Sequence, residues 1–401
     1  MPKIKITEED RTGTVQPTAL SNAVYIPGPS AAAFTRPILF TSTTELEKVV
    51  LGETAQAAEG QAVTKTTSLS YRLAKHLLNY GLPVIYDGLG SSDTTPDLAK
   101  RWEIMKDKAS YDVRFLTRGQ YGGFDQAMIN CAATRGDCIA LCDLGLADKE
   151  ISADEKGGYG ASIRAKFASI SNGEFAAAFA PNWYTYNKEL CEGENKELIP
   201  ASFGYLFAYA KAIRNNPEWF AIAGSQRGII DELDSVEYEL SNADCEILQG
   251  RGASEEVDLD DISGKDNVGF AINPIALQNP FGIVIWGNRT LKNNDAARKT
   301  TAQSFLNVRN GVNAIKKSLY TAARKYTFEQ NSETLWLNFT GQVTPLLDKM
   351  KANQGLDDYK FTRLPTSAKA RLRANLKIIP IEAVEDFELN IELTDSLEVV
   401  E

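Results

Sequence analysis

The sequence predicts a multi-domain α/β protein with mixed α+β character, in which one sheet is completed by strands from the chain termini. Three observations predict this class. Short apolar runs alternate with amphipathic helical stretches through residues 24–142, the order expected of a largely parallel sheet covered by helices. Both termini carry strictly alternating strands of opposite charge. Between them lies a long basic helix, in a chain whose formal net charge is -10.

The elements follow in order. Val24-Tyr25-Ile26 reads as a strand ended by Pro27-Gly28-Pro29, and Ile38-Leu39-Phe40 as a second strand. Thr41 and Ser42, with Glu45 following, have the pattern of a capped helix start. Leu73, Leu77 and Leu78 define one face of a helix, and Gly81 stops it before the apolar strand Val84-Ile85-Tyr86. A helix over 98–105, a strand over 113–116, a helix over 126–133 and a strand over 138–142 continue the layer. From Asp231 to Asp261 acids accumulate and Gly250 and Gly252 interrupt the pattern, which predicts an exposed, loop-rich connection between domains. A second domain then begins near Gly269, with residues 281–286 as a buried strand.

The next segment is chemically distinct. Arg289, Lys292, Arg298, Lys299, Arg309, Lys316, Lys317, Arg324 and Lys325 face a single acid, Asp295. Phe305, Val308, Val312, Ile315 and Leu319 fall on one side of a helix, and Arg309, Asn313, Lys316, Lys317, Tyr320 and Arg324 on another. Solvated faces normally mix charge signs, so this one predicts an anionic partner such as an acidic protein surface. A second helix follows Asn331-Ser332, with Trp336, Val343, Leu347 and Met350 as core residues and Gly355 as its stop.

At the N-terminus Lys3-Ile4-Lys5-Ile6-Thr7 alternates polar and apolar residues, and residues 387–394 do the same with Phe387, Leu389, Ile391 and Leu393 on one face. From Glu382 onward there are eight acids and no base. Residues 371–378 form a third alternating strand with a basic charged face. Opposite charges across paired strands contribute roughly 0.2–1 kcal/mol each, so the pattern favours one mixed sheet. Residues 8–22 are polar, contain Gly13 and Pro17, and read as a tether; Pro380 interrupts the ladder before the tail. Terminal strands on such tethers either fold back within the chain or complete a sheet in another subunit. Lys3, Ile4, Lys5, Ile6, Phe387, Leu389, Ile391 and Leu393 are therefore candidate interface residues.

Other function classes are poorly supported. No apolar run reaches the roughly 20 residues that span a bilayer, and the N-terminus lacks the apolar core of a secretory signal; cytoplasmic synthesis is expected. Five cysteines without a CxxC pair indicate neither a disulfide framework nor a zinc site. The negative charge argues against nucleic acid as the main partner. His76, the only histidine, lies among leucines on a predicted helix. Asp87 and Asp143 at strand ends are the best enzyme-like feature, because open α/β sheets place ligands there. No nucleophile elbow or metal-binding pair accompanies them, Gly88-Leu89-Gly90 lacks the third glycine of a dinucleotide loop, and no Walker motif occurs. Asp258, Asp260 and Asp261 fail as a calcium loop, with Ile262 and Gly269 at ligand positions. No catalytic, cofactor or metal residue is assigned.

Several motifs resemble the contractile tail sheath proteins of bacteriophages and related injection particles. Residues 283–291, Ile-Val-Ile-Trp-Gly-Asn-Arg-Thr-Leu, look like that family's strand and W-G-x-R-T-L turn. Leu306-Asn307-Val308-Arg309 resembles its N-V-R helix, and Phe328-Glu329-Gln330-Asn331 with Leu335-Trp336 its F-E-x-N and L-W element. Weaker similarity covers residues 41–51 and 73–86, while 159–248 match only loosely. The resemblance implies a multi-domain tail-sheath fold: an N-terminal arm (1–20), an outer α/β domain (21–268), an inner domain (269–380) and a C-terminal arm (381–401). It implies a homo-oligomer built as a helical stack of hexameric rings, with tail tube, baseplate and tail terminator proteins as partners. It also implies a virion component assembled in the bacterial cytoplasm, with no cofactor, nucleic acid or membrane insertion and no enzymatic activity. Arg309, Lys316, Lys317 and Arg324 carry over as tube-facing residues. The rival readings are an α/β enzyme with its site at Asp87 and Asp143, and another self-assembling shell protein.

Overall fold

Alternate residues of the same strands feed two separate cores, one on each face of a large sheet. Val24, Ile26, Val84, Tyr86, Ile139, Leu141, Ala177 and Phe179 belong to one core. Tyr25, Ile85, Ala140, Cys142, Ala176 and Ala178 belong to the other. This follows from the period of two along a strand combined with burial on both sides. The computed structural model describes residues 22–52, 67–90, 98–146, 151–153, 158–193, 195–250, 269–293, 301–365 and 370–384.

The first part of the chain runs β1 (Val24–Gly28), β2 (Ile38–Phe40), α1 (Thr43–Leu51), α2 (Leu69–Asn79), β3 (Val84–Gly88) and α3 (Ala99–Met105). It continues with β4 (Phe115–Leu116), α4 (Gln126–Arg135), β5 (Ile139–Cys142), α5 (Gly158–Lys166) and β6 (Ala176–Ala180). Then follow β7 (Trp183–Thr185), β8 (Glu197–Ile199), α6 (Ala201–Ala212), α7 (Gly224–Arg227), β9 (Ser235–Val236) and α8 (Asn242–Leu248). The last part holds β10 (Asn273–Gln278), β11 (Gly282–Ile285), α9 (Leu306–Lys325), α10 (Glu333–Ala352), β12 (Leu356–Leu364) and β13 (Arg373–Pro380).

Eight strands form one sheet in the order β11-β10-β6-β5-β4-β1-β3-β2. Its centre is parallel, and the edge strands β2 and β11 are antiparallel. The class and the early strands agree with the sequence reading. The helix starts agree less uniformly. Ser68 caps α2 by accepting from the Tyr71 N–H, and Gly81, with φ +87, ends that unit in a conformation open to glycine. Ser42 precedes α1, but its side chain makes no cap hydrogen bond.

The expected division at Gly269 does not separate two cores. Strand β10 lies parallel to β6 with Asn273 opposite Phe179, so the sheet crosses that position. Of the strand expected over 281–286, Val284 and Ile285 are buried, whereas Phe281 and Trp286 are 52% and 39% exposed, because β11 is an edge strand. The acidic connection also differs from expectation within its described part. Residues 242–248 form a helix capped by Ser241 through a reciprocal bond with Asp244, and Cys245 and Leu248 are buried; residues 251–268 lie outside the described part.

Helix α6 is apolar all round, as a helix enclosed by protein should be: Phe203, Tyr205, Phe207 and Tyr209 are all buried. A third core joins α9, α10 and the β12–β13 ribbon through Ile315, Phe339, Val343, Leu347, Met350 and Leu356, with Trp219 beside them. Two buried cations fasten this layer to the large sheet. Arg114 pairs with Glu218 at 2.7 Å and donates to the Asn310 carbonyl at 3.1 Å. Lys317 donates to the Val113 carbonyl at 2.9 Å and to Asp112.

Candidate assembly surfaces

β12 and β13 form a two-stranded antiparallel ribbon, from Leu364 opposite Arg373 to Leu356 opposite Pro380, with a bulge between Leu356 and Asp358. The alternating strand expected at 371–378 is thus present, two residues later. β12 was not expected, because Asp357 and Asp358 mask its alternation. One face of the ribbon is apolar: Tyr359, Phe361, Leu376 and Ile378 pack on the third core, with Phe361 at 5.3 Å from Trp336 and 6.0 Å from Phe339 between ring centroids. On the exposed face Lys360 stands opposite Lys377, a like-charge pairing that weakens a ribbon. Among the described residues no third strand pairs with either edge, and two strands alone are marginally stable. The candidate arm residues Lys3, Ile4, Lys5, Ile6, Phe387, Leu389, Ile391 and Leu393 lie outside the described residues.

The four cations expected on the tube-facing side of α9 separate into two pairs. Arg309 and Lys317 are only 4% and 5% exposed, so they do not form part of an outer face. Arg309 lies over the Phe175 ring at 4.6 Å, and burial lowers its pKa. Burial likewise lowers that of Lys317, although Asp112 opposes the shift. The helical period identifies a polar stripe but not what packs against it; here the entry to β4 does. Lys316 and Arg324 remain on the surface. Lys316 donates to the Gly136 carbonyl at 2.8 Å, beside a cavity of ≈ 280 Å³ that Lys108, Asp137 and Tyr320 also line. Its pKa is lowered by burial first, then by Arg309 and Lys108, with Asp137 acting against them. Arg324 lies 5.8 Å from the Tyr320 ring.

The strand-end aspartates serve the fold separately. Asp87 accepts from the Tyr25 hydroxyl at 2.7 Å and lies 3.5 Å from Arg101; burial raises its pKa against both. Asp143 accepts from Ser202 Oγ at 2.5 Å and from the Gly123 N–H, and burial lifts its pKa to about 6. Three strand spacings separate β3 from β5, about 14 Å, too far for both carboxylates to act on one bond. The switch point between β1 and β4, where open α/β sheets bind ligands, is filled. Ser70 Oγ donates to the Pro27 carbonyl and accepts from the Gln120 N–H, both at 2.8 Å. Gly119 completes the plug at φ +59, where a Cβ would lie 2.2 Å from the Pro27 oxygen. Among the described residues no group of three or more His, Cys, Asp or Glu could hold a metal ion, and no helix is long and apolar enough to cross a membrane.

His76 is a clasp. Its Nδ1 faces Glu189 at 2.8 Å and its Nε2 faces Glu232 at 2.9 Å, joining α2 to two segments more than a hundred residues away. Burial disfavours the imidazolium, but the two carboxylates outweigh it and raise the pKa above 6.5. Glu232, buried yet bonded by His76 and Tyr80, has its pKa lowered below 4.5. A raised histidine pKa contributes stability below the unfolded value that is lost as pH rises through the folded one. A lowered glutamate pKa contributes above its unfolded value and is lost in acid. Both contributions coexist between about pH 4.5 and 6.5. His76→Gln should therefore lower the melting temperature more at pH 6 than at pH 8.5; an equal loss at both would show that the clasp is uncharged.

No protein-family model matches the sequence, and no curated protein matches it. Solved structures do. The chain is similar to the sheath of an extracellular contractile injection system, the PVC sheath complex in its contracted state: TM-score 0.64 at 15% identity over 99% of this chain and 98% of that one. A chain of the contracted anti-feeding prophage baseplate is similar with TM-score 0.59 at 17% identity over 99% of both chains. The sheath tail protein of Desulfitobacterium hafniense is similar with TM-score 0.52 at 8% identity over 95% of this chain and 100% of that one. The chain has the contractile tail-sheath fold.

Proposed function

We propose that this chain is the sheath subunit of a contractile tail or injection particle, a structural polymer-former and not an enzyme. The observation that carries the reading is the β12–β13 ribbon, which has an apolar inner face, a lysine pair outside and no third strand among the described residues. A neighbour's acidic strand, bearing Glu388 and Glu392, would pair with an open edge and offset Lys360 and Lys377. The basic strand of Lys3, Ile4, Lys5 and Ile6 supplies the complementary arm. Arms at 1–20 and 381–401 would then join subunits into a helical stack of hexameric rings without separating when they bend. The α9–α10 layer faces the tail tube through Lys316 and Arg324, and the outer part of the sheet body faces outward. Baseplate and terminator proteins cap the stack.

In this reading the sheath assembles in the host cytoplasm in an extended state, joins the virion or particle, and converts to a packing with larger contacts between subunits. The free-energy difference between two packings supplies the work that drives the tube through the target envelope. Negative-stain electron microscopy of the purified chain tests the reading: hollow striated tubes are expected, whereas flat sheets or closed shells would favour another assembly class. The charge reversals Lys316→Glu and Arg324→Glu should reduce the yield of tube-bound extended sheaths, most strongly at low salt, where screening is least. An unchanged yield would remove the proposed tube face.

A further inference from the structure

The joint between α9 and the large sheet contains a cation whose hydrogen-bonding edge is unused. Arg309 is buried, and its Nε and Nη2 are both sealed from solvent and without a hydrogen-bond partner. Asn313, one turn further along α9, is fully buried, and its Oδ1 and Nδ2 are likewise unpaired. Residues three and four apart on a helix are neighbours on one face, and Lys316 completes the stripe. The Arg309 guanidinium lies 4.6 Å and Lys316 Nζ 5.8 Å from the centre of the Phe175 ring. Phe175 ends the short turn Gly173–Phe175 that leads into β6.

Buried polar groups are almost always hydrogen-bonded, and a buried charge left uncompensated is costly. The face of the Phe175 ring attracts the guanidinium but accepts nothing along its edge. Glu174 is the acid whose field reaches Arg309, yet the two make no ion pair among the described residues. Asp137, whose field acts on Lys316, is already taken by Arg135 at 3.0 Å. At Arg309 and Asn313 three donating nitrogens therefore stand against one accepting oxygen, on a site that carries positive charge. A water molecule accepts two hydrogen bonds and offsets no charge, whereas an anion accepts all three and offsets it. Arg309 also stands in the first turn of α9, which contains no acid, at the end where a helix dipole favours anions. Because the unpaired atoms are sealed, a side chain of another protein does not reach them; the anion has to be a small free one.

We propose that Arg309 Nε and Nη2, together with Asn313 Nδ2, bind a small inorganic anion of the size of chloride inside this joint. Arg114 and Lys317 already tie α9 to the residues around β4; the anion holds Arg309 against Phe175 and ties the helix to the turn before β6. The site belongs to the single subunit, so its test is independent of whether the chain polymerises.

The test is thermal unfolding of the full chain at constant ionic strength, with sodium gluconate, whose anion is too large for a sealed site, replaced stepwise by sodium chloride. An anion that binds only the folded chain raises the melting temperature with its concentration, and a rise of a few degrees is expected for the wild type. Asn313→Asp places a carboxylate beside Arg309 and should remove the response, with a melting temperature in gluconate at or above that of the wild type in chloride. Arg309→Met keeps an apolar stem beside Phe175 and should also lose the response, at a lower melting temperature. Glu174→Gln should leave the response in place. A wild type indifferent to chloride, or variants at 309 and 313 that respond as the wild type does, would overturn the site. Glu174→Gln destabilised as much as Arg309→Met, with no chloride effect on the wild type, would identify Glu174 as the partner of Arg309 and overturn the site equally.

Discussion

Deletion of residues 387–401 should abolish polymers and leave a folded monomer. The three cores are complete without that segment, their last fully buried member being Leu356, so the melting temperature should stay within a few degrees of the full chain. Each backbone hydrogen bond of a strand added to an open edge contributes about 0.5–1.5 kcal/mol net. In the proposed polymer one arm would supply several such bonds together with Phe387, Leu389, Ile391 and Leu393. Losing them at every subunit would remove a contact repeated along the whole proposed polymer. Sedimentation and electron microscopy of the truncated chain would decide the matter, and tubes of normal yield would sink the arm hypothesis.

The second large effect concerns the joint between the two layers. Arg114→Met should destabilise the chain by about 3–5 kcal/mol, the cost of breaking a buried ion pair and stranding its partner. Arg114 is fully buried, and its removal leaves Glu218, whose side chain is 11% exposed, and the Asn310 carbonyl without their donor. Adding Glu218→Gln removes the stranded charge and should recover more than half of the loss. Urea unfolding of the two single variants, the double variant and the parent measures this coupling. A loss below about 1 kcal/mol for Arg114→Met would mean that the joint is held by apolar packing alone.

Much of the sheet was legible because its strands are apolar on both faces and separated by clear stops, as at Val84 to Tyr86 after Gly81. β6, with the sequence Ala-Ala-Ala-Phe-Ala, was not legible: alanine favours helices in isolation, and only its neighbours β5 and β10 make it a strand. The continuation of the sheet across Gly269 was not legible for a related reason, since the pairing of Asn273 with Phe179, nearly a hundred positions apart, leaves no local trace. On α9 the composition announced a cationic helix but not its orientation. Lys316 and Lys317 are adjacent in sequence and about 100° apart around the axis, and only the packing of Asp112 and Val113 decides which one is buried.

The ribbon's register also determines how the subunit carries load. Leu356 and Pro380 stand opposite each other, so tension applied through the chain beyond Pro380 enters β13 at the same end at which β12 leaves α10. An isolated ribbon pulled that way unzips, because its crosswise hydrogen bonds fail one after another. A strand clamped along the free edge by a neighbour converts peeling into shear, and the bonds then resist together. The same eight residues of β13 would thus be a weak fastener in a free subunit and a strong one in the proposed lattice.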